Sequence, residues 1–274
     1  MKMHILLISL GICLWLPLSL AAQSVEASVD DLLQITGTSD QLSNVAASIT
    51  SLYAQQEKSF DKDSYQALMK IIGNQFSAEV LSGAVKSELV ASFDKALYQK
   101  LKATYQKQLI IDITKAEVLH STSDEQAKID SFDYDSLPSA RKKLLEDFMK
   151  SSDELHTLEI LTTSGLQAFV TTFNLFLPDE HKIKPEQMKQ VIDNSIRQMR
   201  SPEYLLHLKK AHALCYASFN DKQMAEYIQT VYGSPEGKWM LKSFYSGLTK
   251  GFQTSMRNAA DEIKSTFKIQ ESNT

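Results

Sequence analysis

Cysteine, proline and glycine are all scarce in this chain: two, six and nine residues among 274. The cysteines are Cys13 and Cys215, and Cys13 falls in an N-terminal segment with the marks of a removable signal. Cys215 alone then remains, no intramolecular disulfide can form, and the fold must rest on core packing. Few prolines and glycines mean few breaks, and no stretch alternates apolar and polar residues for more than a few positions. That argues against strands. After Ala22 no apolar run approaches the roughly 20 residues needed to span a bilayer. Lysine and arginine number 29 against 33 aspartates and glutamates, interspersed, for a formal charge of −4. The basic patch of a nucleic-acid binder is therefore missing.

Motifs that carry chemistry are missing as well. There is no G-x-S-x-G elbow, no Walker loop and no strand-linked dinucleotide fingerprint. His207, His212 and Cys215 fall on one expected helix, but His207 lies about 140° around from His212, and no CxxC or HExxH pattern supports zinc. Asp153 with His156 and the cluster Asp179-Glu180-His181 do not make the paired Glu-x-x-His of a di-iron bundle. No metal, no cofactor and no catalytic residue is assigned. Catalytic residues can be scattered in sequence, so a polar cleft holding His212 or His156 beside acidic partners would turn the reading toward an enzyme.

What is present begins with export. Residues 1–22, MKMHILLISLGICLWLPLSLAA, carry one lysine, an apolar run from Ile5 to about Leu16, Pro17, and then small residues. That is the pattern of a cleavable signal peptide with cleavage near Ala21 or Ala22, and it places the mature protein in the periplasm. An uncleaved anchor is the competing reading, on a run short for a spanning helix.

The remainder reads as helices, written twice. Beyond a cap at Thr38-Ser-Asp-Gln, the residues Leu42, Val45, Ala46, Ile49, Leu52 and Tyr53 recur at spacings of three and four. After Thr163-Ser-Gly the same spacing holds for Leu166, Phe169, Val170, Phe173, Phe176 and Leu177, each 124 residues on. Ser77-Ala-Glu and Ser201-Pro-Glu each open a further helix. The expected architecture is all-α: two duplicated, tightly docked helical-bundle halves of four to five helices each. The first repeat spans 23–120, a polar linker 121–136, the second repeat 137–266 and a flexible tail 267–274.

A long C-terminal helix is expected from about Pro235 to Phe267, with Gly247 and Gly251 marking close helix packing. Before it stands the turn Tyr232-Gly233-Ser234-Pro235-Glu236-Gly237. Here Gly233 is expected in a left-handed conformation past a helix end, Ser234 as the next cap, and Pro235 in the first helical position. Gly237, inside the first turn, implies close backbone approach to a neighbour. Phe169, Phe173, Met188, Phe219, Met240 and Phe244 make the second half rich in adaptable apolar side chains. They fit either an ordinary core or a pocket for a small apolar ligand.

The block Phe219-Asn-Asp-Lys-Gln-Met-Ala-Glu-Tyr227, followed by Val231-Tyr-Gly-Ser-Pro-Glu-Gly-Lys238 and a long helix, resembles the C-terminal signature of domain of unknown function 2059. The resemblance is best over 201–255 and loose in the first repeat, where Tyr105-Gln-Lys-Gln replaces the Ser-Pro-x-Gly turn. It implies an exported, helical bacterial protein and supplies no reaction, ligand or catalytic residue. The expected function is a non-catalytic binding or interaction module of the bacterial envelope, its partner either another envelope protein or a small apolar ligand.

Overall fold

The structure is a computed structural model that describes residues 16–122 and 126–268, the side chains at 16–24 and 121–122 excepted. Every regular element among the described residues is helical. In chain order the α-helices are α1 (Leu16–Ile35), α2 (Thr38–Ala54), α3 (Lys62–Gln75), α4 (Ala78–Ala91), α5 (Lys95–Tyr105) and α6 (Gln108–Thr122). They continue as α7 (Gln126–Ser131), α8 (Ser139–Ser151), α9 (Glu154–Phe173), α10 (Pro185–Met199), α11 (Pro202–Cys215), α12 (Asp221–Tyr227) and α13 (Pro235–Thr266). None is long and apolar enough to cross a membrane. Most of the expected signal, 1–15, lies outside the described residues, while Ala21 and Ala22 fall within α1.

The helix boundaries follow from local chemistry. Ser77 and Ser201 cap α4 and α11, each accepting from the backbone N–H three residues on, at 3.3 and 3.2 Å. Both helices are 14 residues long, and both carry a glutamate in the first turn, where the dipole favours it. Asp61 and Asp94 open α3 and α5 in the same way.

One expected boundary is corrected. Thr163-Ser-Gly does not start a helix but lies within the continuous α9, and the break comes ten residues earlier at Asp153, with φ of 50°. The first run breaks at Gly37, with φ of 70°, so that α2 begins at Thr38. The position 124 residues after Gly37 is Leu161, and a leucine held left-handed would cost roughly 1–2 kcal/mol. The chain stays helical there instead.

The polar segment 121–136 is also more ordered than a linker. Its described part holds α7, with Ile129 buried, and a 3₁₀ turn at Tyr134–Ser136 with Tyr134 buried. Of the expected tail, Phe267 packs edge-on against Phe176 with ring centroids 4.8 Å apart, and 269–274 lie outside the described residues.

Two hydrophobic cores form, and neither keeps to one side of 120–137. The first gathers α1 to α5 around Leu32, Leu42, Ile72, Leu81 and Leu89, and takes in Ala168 of α9 and a whole face of α13. The second joins Ile110 and Ile113 of α6 to Leu145, Phe148, Tyr216, Met224 and Tyr227 of α8, α11 and α12. The last helix of each run thus lies in the core dominated by the other.

Helices α13 and α4 pack closely where they cross. A Cβ on Gly247 would stand 2.5 Å from Val85 Cα, and one on Gly251 would stand 3.0 Å from Ala84 Cβ. Ser243, Gly247, Gly251, Ser255 and Ala259 are all buried, four apart, and form a small-residue groove in which α4 sits. Polar groups fasten its rim: Ser246 and Lys250 both donate to Glu88, at 2.7 and 2.6 Å, and the Trp239 ring N–H donates to the Ser92 carbonyl at 3.0 Å.

Candidate functional site

The turn that stood out in the sequence is built to place Tyr232. Helix α12 does not end in a left-handed residue; it runs on through one π turn, Ile228–Tyr232, closed by the Gly233 N–H donating to Ile228 O at 2.9 Å. Gly233 is right-handed, with φ −76°, which corrects the expected left-handed conformation. The physical reason for glycine there is space, because a Cβ would meet Gln229 O at 2.9 Å. Ser234 does cap α13, accepting from Gly237 N at 3.0 Å, and Pro235 is the first helical residue. At Gly237 the close approach is extreme: a Cβ would stand 1.6 Å from Val231 O. The first turn of α13 and the end of the π turn are in backbone contact, and Tyr232 is held between them.

Tyr232 belongs to a cluster around Glu117 of α6. The Tyr216 and Tyr227 hydroxyls both donate to Glu117 Oε1, at 2.6 and 2.7 Å, and the Tyr227 and Tyr232 hydroxyls are 3.3 Å apart. Among the described residues no group donates to Glu117 Oε2. Burial pushes the Glu117 carboxyl above the ordinary carboxylate range, and the two tyrosine hydroxyls pull against that shift. Burial, reinforced by the neighbouring Glu117 charge, raises Tyr216, Tyr227 and Tyr232 well above the ordinary phenol value.

A second polar pair lies nearby. His212 Nε2 is 2.9 and 2.8 Å from the two oxygens of Glu154, tying α11 to the first residue of α9. The His212 ring also meets Phe148, with centroids 5.0 Å apart. Arg141, buried in α8, donates to the Tyr216 carbonyl and pairs with Asp221, so that α8 fixes the ends of α11 and α12.

Glu117, Glu154, His212, Tyr216 and Tyr232 border a cavity of about 440 Å³. Its apolar walls are Val45, Leu158, Leu161, Phe148, Leu241 and Phe244, and its polar groups include Glu117, Glu154, His212, Tyr232 and Tyr245, with Cys215 also in the lining. A smaller cavity of about 70 Å³ adjoins it, sharing Gln41, Glu117, Tyr232 and Leu241. Glu117 retains some surface, and it lines both of these cavities.

The six residues expected for an apolar pocket are dispersed. Only Phe244 lines the larger cavity, and Met240 lines the smaller one. Phe169 packs against Tyr53 with centroids 5.2 Å apart and stacks on Phe173 at 5.4 Å; Phe173 in turn meets Phe60. Phe219 packs on the second core, and Met188 is half-buried on α10, in neither core. Phenylalanines at helical spacing fill the seams between helices, and the cavity is left where α9 and α11 stand apart.

Of the other residues singled out, His156 lies against the Tyr245 ring at 5.2 Å, and Lys182 pairs with Asp179 at 2.6 Å. His207 stands 4.0 Å from Asp130, away from the His212–Glu154 pair. Among the described residues no three His, Cys, Asp or Glu side chains converge as a metal would require.

Glu117 escaped the sequence reading although a signal was there. Ile110, Ile113 and Glu117 fall at i, i+3 and i+7, which puts an acid in line with an apolar face. Tyr216, Tyr227 and Tyr232 come from separate segments, and only the fold brings them to one carboxylate.

Compared with protein-family models, with curated proteins and with solved structures, the chain matches none of them.

Proposed function

We propose that this is an exported, non-catalytic binding protein that carries a small, mainly apolar molecule between its two cores. The observation that carries the reading is the cavity of about 440 Å³, walled by leucine and aromatic side chains and edged by a few converging polar groups. Cavities of roughly 300–1,000 Å³ with that lining are where small ligands bind. The test is titration with the apolar dye N-phenyl-1-naphthylamine. Its fluorescence should rise and saturate with the native chain, and Leu158→Trp, which fills the cavity, should suppress the rise. An unchanged titration in that variant would remove the cavity as the site.

Export to the periplasm rests on residues 1–22 and is part of the proposal. N-terminal sequencing of protein recovered from its own cells should start just after Ala21 or Ala22. Kinship with domain of unknown function 2059 rests on the residues quoted from 219–238. The internal duplication is likewise proposed, supported by the equal lengths and identical caps of α4 and α11.

A second reading, an enzyme, is favoured by one observation: His212 faces Glu154 at the cavity with Cys215 one turn away. A histidine oriented by a carboxylate can move protons. If the molecule recovered from the protein were converted on incubation, and His212→Gln stopped the conversion, the enzyme reading would replace the carrier.

A further inference from the structure

The carrier reading names a shape for the ligand, and the charges around the cavity narrow its chemistry. Glu117 and Glu154 both line it, while neither it nor the adjoining cavity has a lysine or arginine in its lining. Glu154 is already matched, because His212 takes both of its oxygens. Glu117 is matched on one side only, its Oε1 accepting two tyrosine hydroxyls and its Oε2 accepting nothing among the described residues. Two phenol donors on one oxygen favour the ionised carboxylate and burial opposes it, so a cation brought to Oε2 would complete the site. The protein therefore offers a carboxylate with no lysine or arginine beside it, only the rings of His120 and His212, in the lining of a space large enough for a molecule.

We infer that the ligand is an amphiphile with a primary ammonium head, which donates to Glu117 Oε2 while its apolar body lies along Leu158, Leu161 and Phe244. This rests on the carrier reading. An ammonium group brings three donors and one positive charge, and a hydrogen bond between two ionised groups is about twice as strong as a neutral one. The aromatic faces of Tyr232 and Phe148, both in the lining, add cation–π attraction. A carboxylate head would bring a third negative charge to a site without a lysine or arginine to receive it. An alcohol head could donate once and would leave the charge unmatched.

Octylamine, octanol and octanoate share one chain length and differ in the head, so they separate these cases. Each is titrated calorimetrically into the native chain near neutral pH, with the naphthylamine dye as a separate control for the cavity. Octylamine should bind at least about tenfold more tightly than octanol, and octanoate most weakly of the three. In Glu117→Gln the preference for octylamine over octanol should shrink to within about twofold while octanol keeps its affinity. Octanol or octanoate equalling octylamine in the native chain would overturn the inference, and that comparison needs no variant to fold. Dye binding with no octylamine binding would also overturn it while leaving the cavity standing. If the dye fails too, the carrier reading itself falls and takes the ammonium head with it.

Discussion

Where α13 crosses α4, one added carbon on Gly247 would stand 2.5 Å from a backbone atom, whereas around Glu117 helices of similar composition leave a cavity of about 440 Å³. The difference lies in the side chains that face across each seam. Along α13 the facing residues are serine, glycine and alanine, so the backbones close until almost nothing lies between them. Around the cavity the facing residues are leucines, tyrosines, two histidines and two glutamates, drawn from α6, α9, α11, the π turn and α13. Their bulk holds the helices apart, and their polar groups pair in part, His212 with Glu154 and two tyrosines with one oxygen of Glu117. One seam holds the molecule together. The other is free to hold something else.

The comparison can be broken most sharply at the joint between the two regions. Gly237→Ala puts a methyl group into the Val231 carbonyl, and it should cost about 3 kcal/mol or more, the upper end of overpacking. Urea unfolding with an unchanged slope would measure this, and a loss below about 1 kcal/mol would show that the joint can relax. Gly247→Ala should cost about 2 kcal/mol, because the obstacle is Val85 backbone rather than a movable side-chain tip. Gly247→Ala, away from the cavity lining, should not alter dye affinity in protein that remains folded.

The cavity side should respond more gently. Tyr216→Phe and Tyr227→Phe each remove a donor from Glu117 and should cost about 1.5 kcal/mol, the low end for hydrogen bonds to charged groups. The double variant should depart from the sum, since both act on one oxygen.

Glu117 also gives stability a pH dependence whose sign is fixed. Burial raises its folded pKa above the unfolded value, so between those two values the folded chain binds more protons than the unfolded one. Its contribution should therefore be most favourable below the ordinary carboxylate range and decline as pH rises through the raised value. Glu117→Gln should flatten that decline in urea titrations from acid to neutral pH. The groups around it are Tyr105, Tyr216, Tyr227 and Tyr232, with His120 in the same cavity lining and the Glu154–His212 pair beyond. The smallest change is Ser255→Ala. Ser255 Oγ is buried and has no hydrogen-bond partner among the described residues, and removing it should stabilise by up to about 1 kcal/mol.

The closely packed seam was legible in the sequence, and the cavity was not. Gly247 and Gly251 stood four apart in a long amphipathic run, and Gly237 stood where glycine weakens a helix start, so each announced a close approach. Ser243, Ser255 and Ala259 complete the same groove, but serine and alanine are ordinary on a helix and carried no such signal. The break at Asp153 was missed because the first run suggested a cap at Thr163, and only the contrast between Gly37 and Leu161 explains why the chain does not turn there. Cavities are differences between surfaces from distant segments. Glu117, Glu154 and Tyr232 reach one space from α6, α9 and the π turn, and no local pattern records that. The phenylalanines that looked like pocket walls fill gaps elsewhere, since an aromatic at helical spacing reports burial and not what it is buried against.

Native mass spectrometry of the intact chain purified from its own cells tests the central claim most directly. One bound small molecule per chain is expected, released on unfolding and missing from Leu158→Trp prepared in the same way. Repeatedly empty native protein, or the same molecule retained by Leu158→Trp, would contradict it.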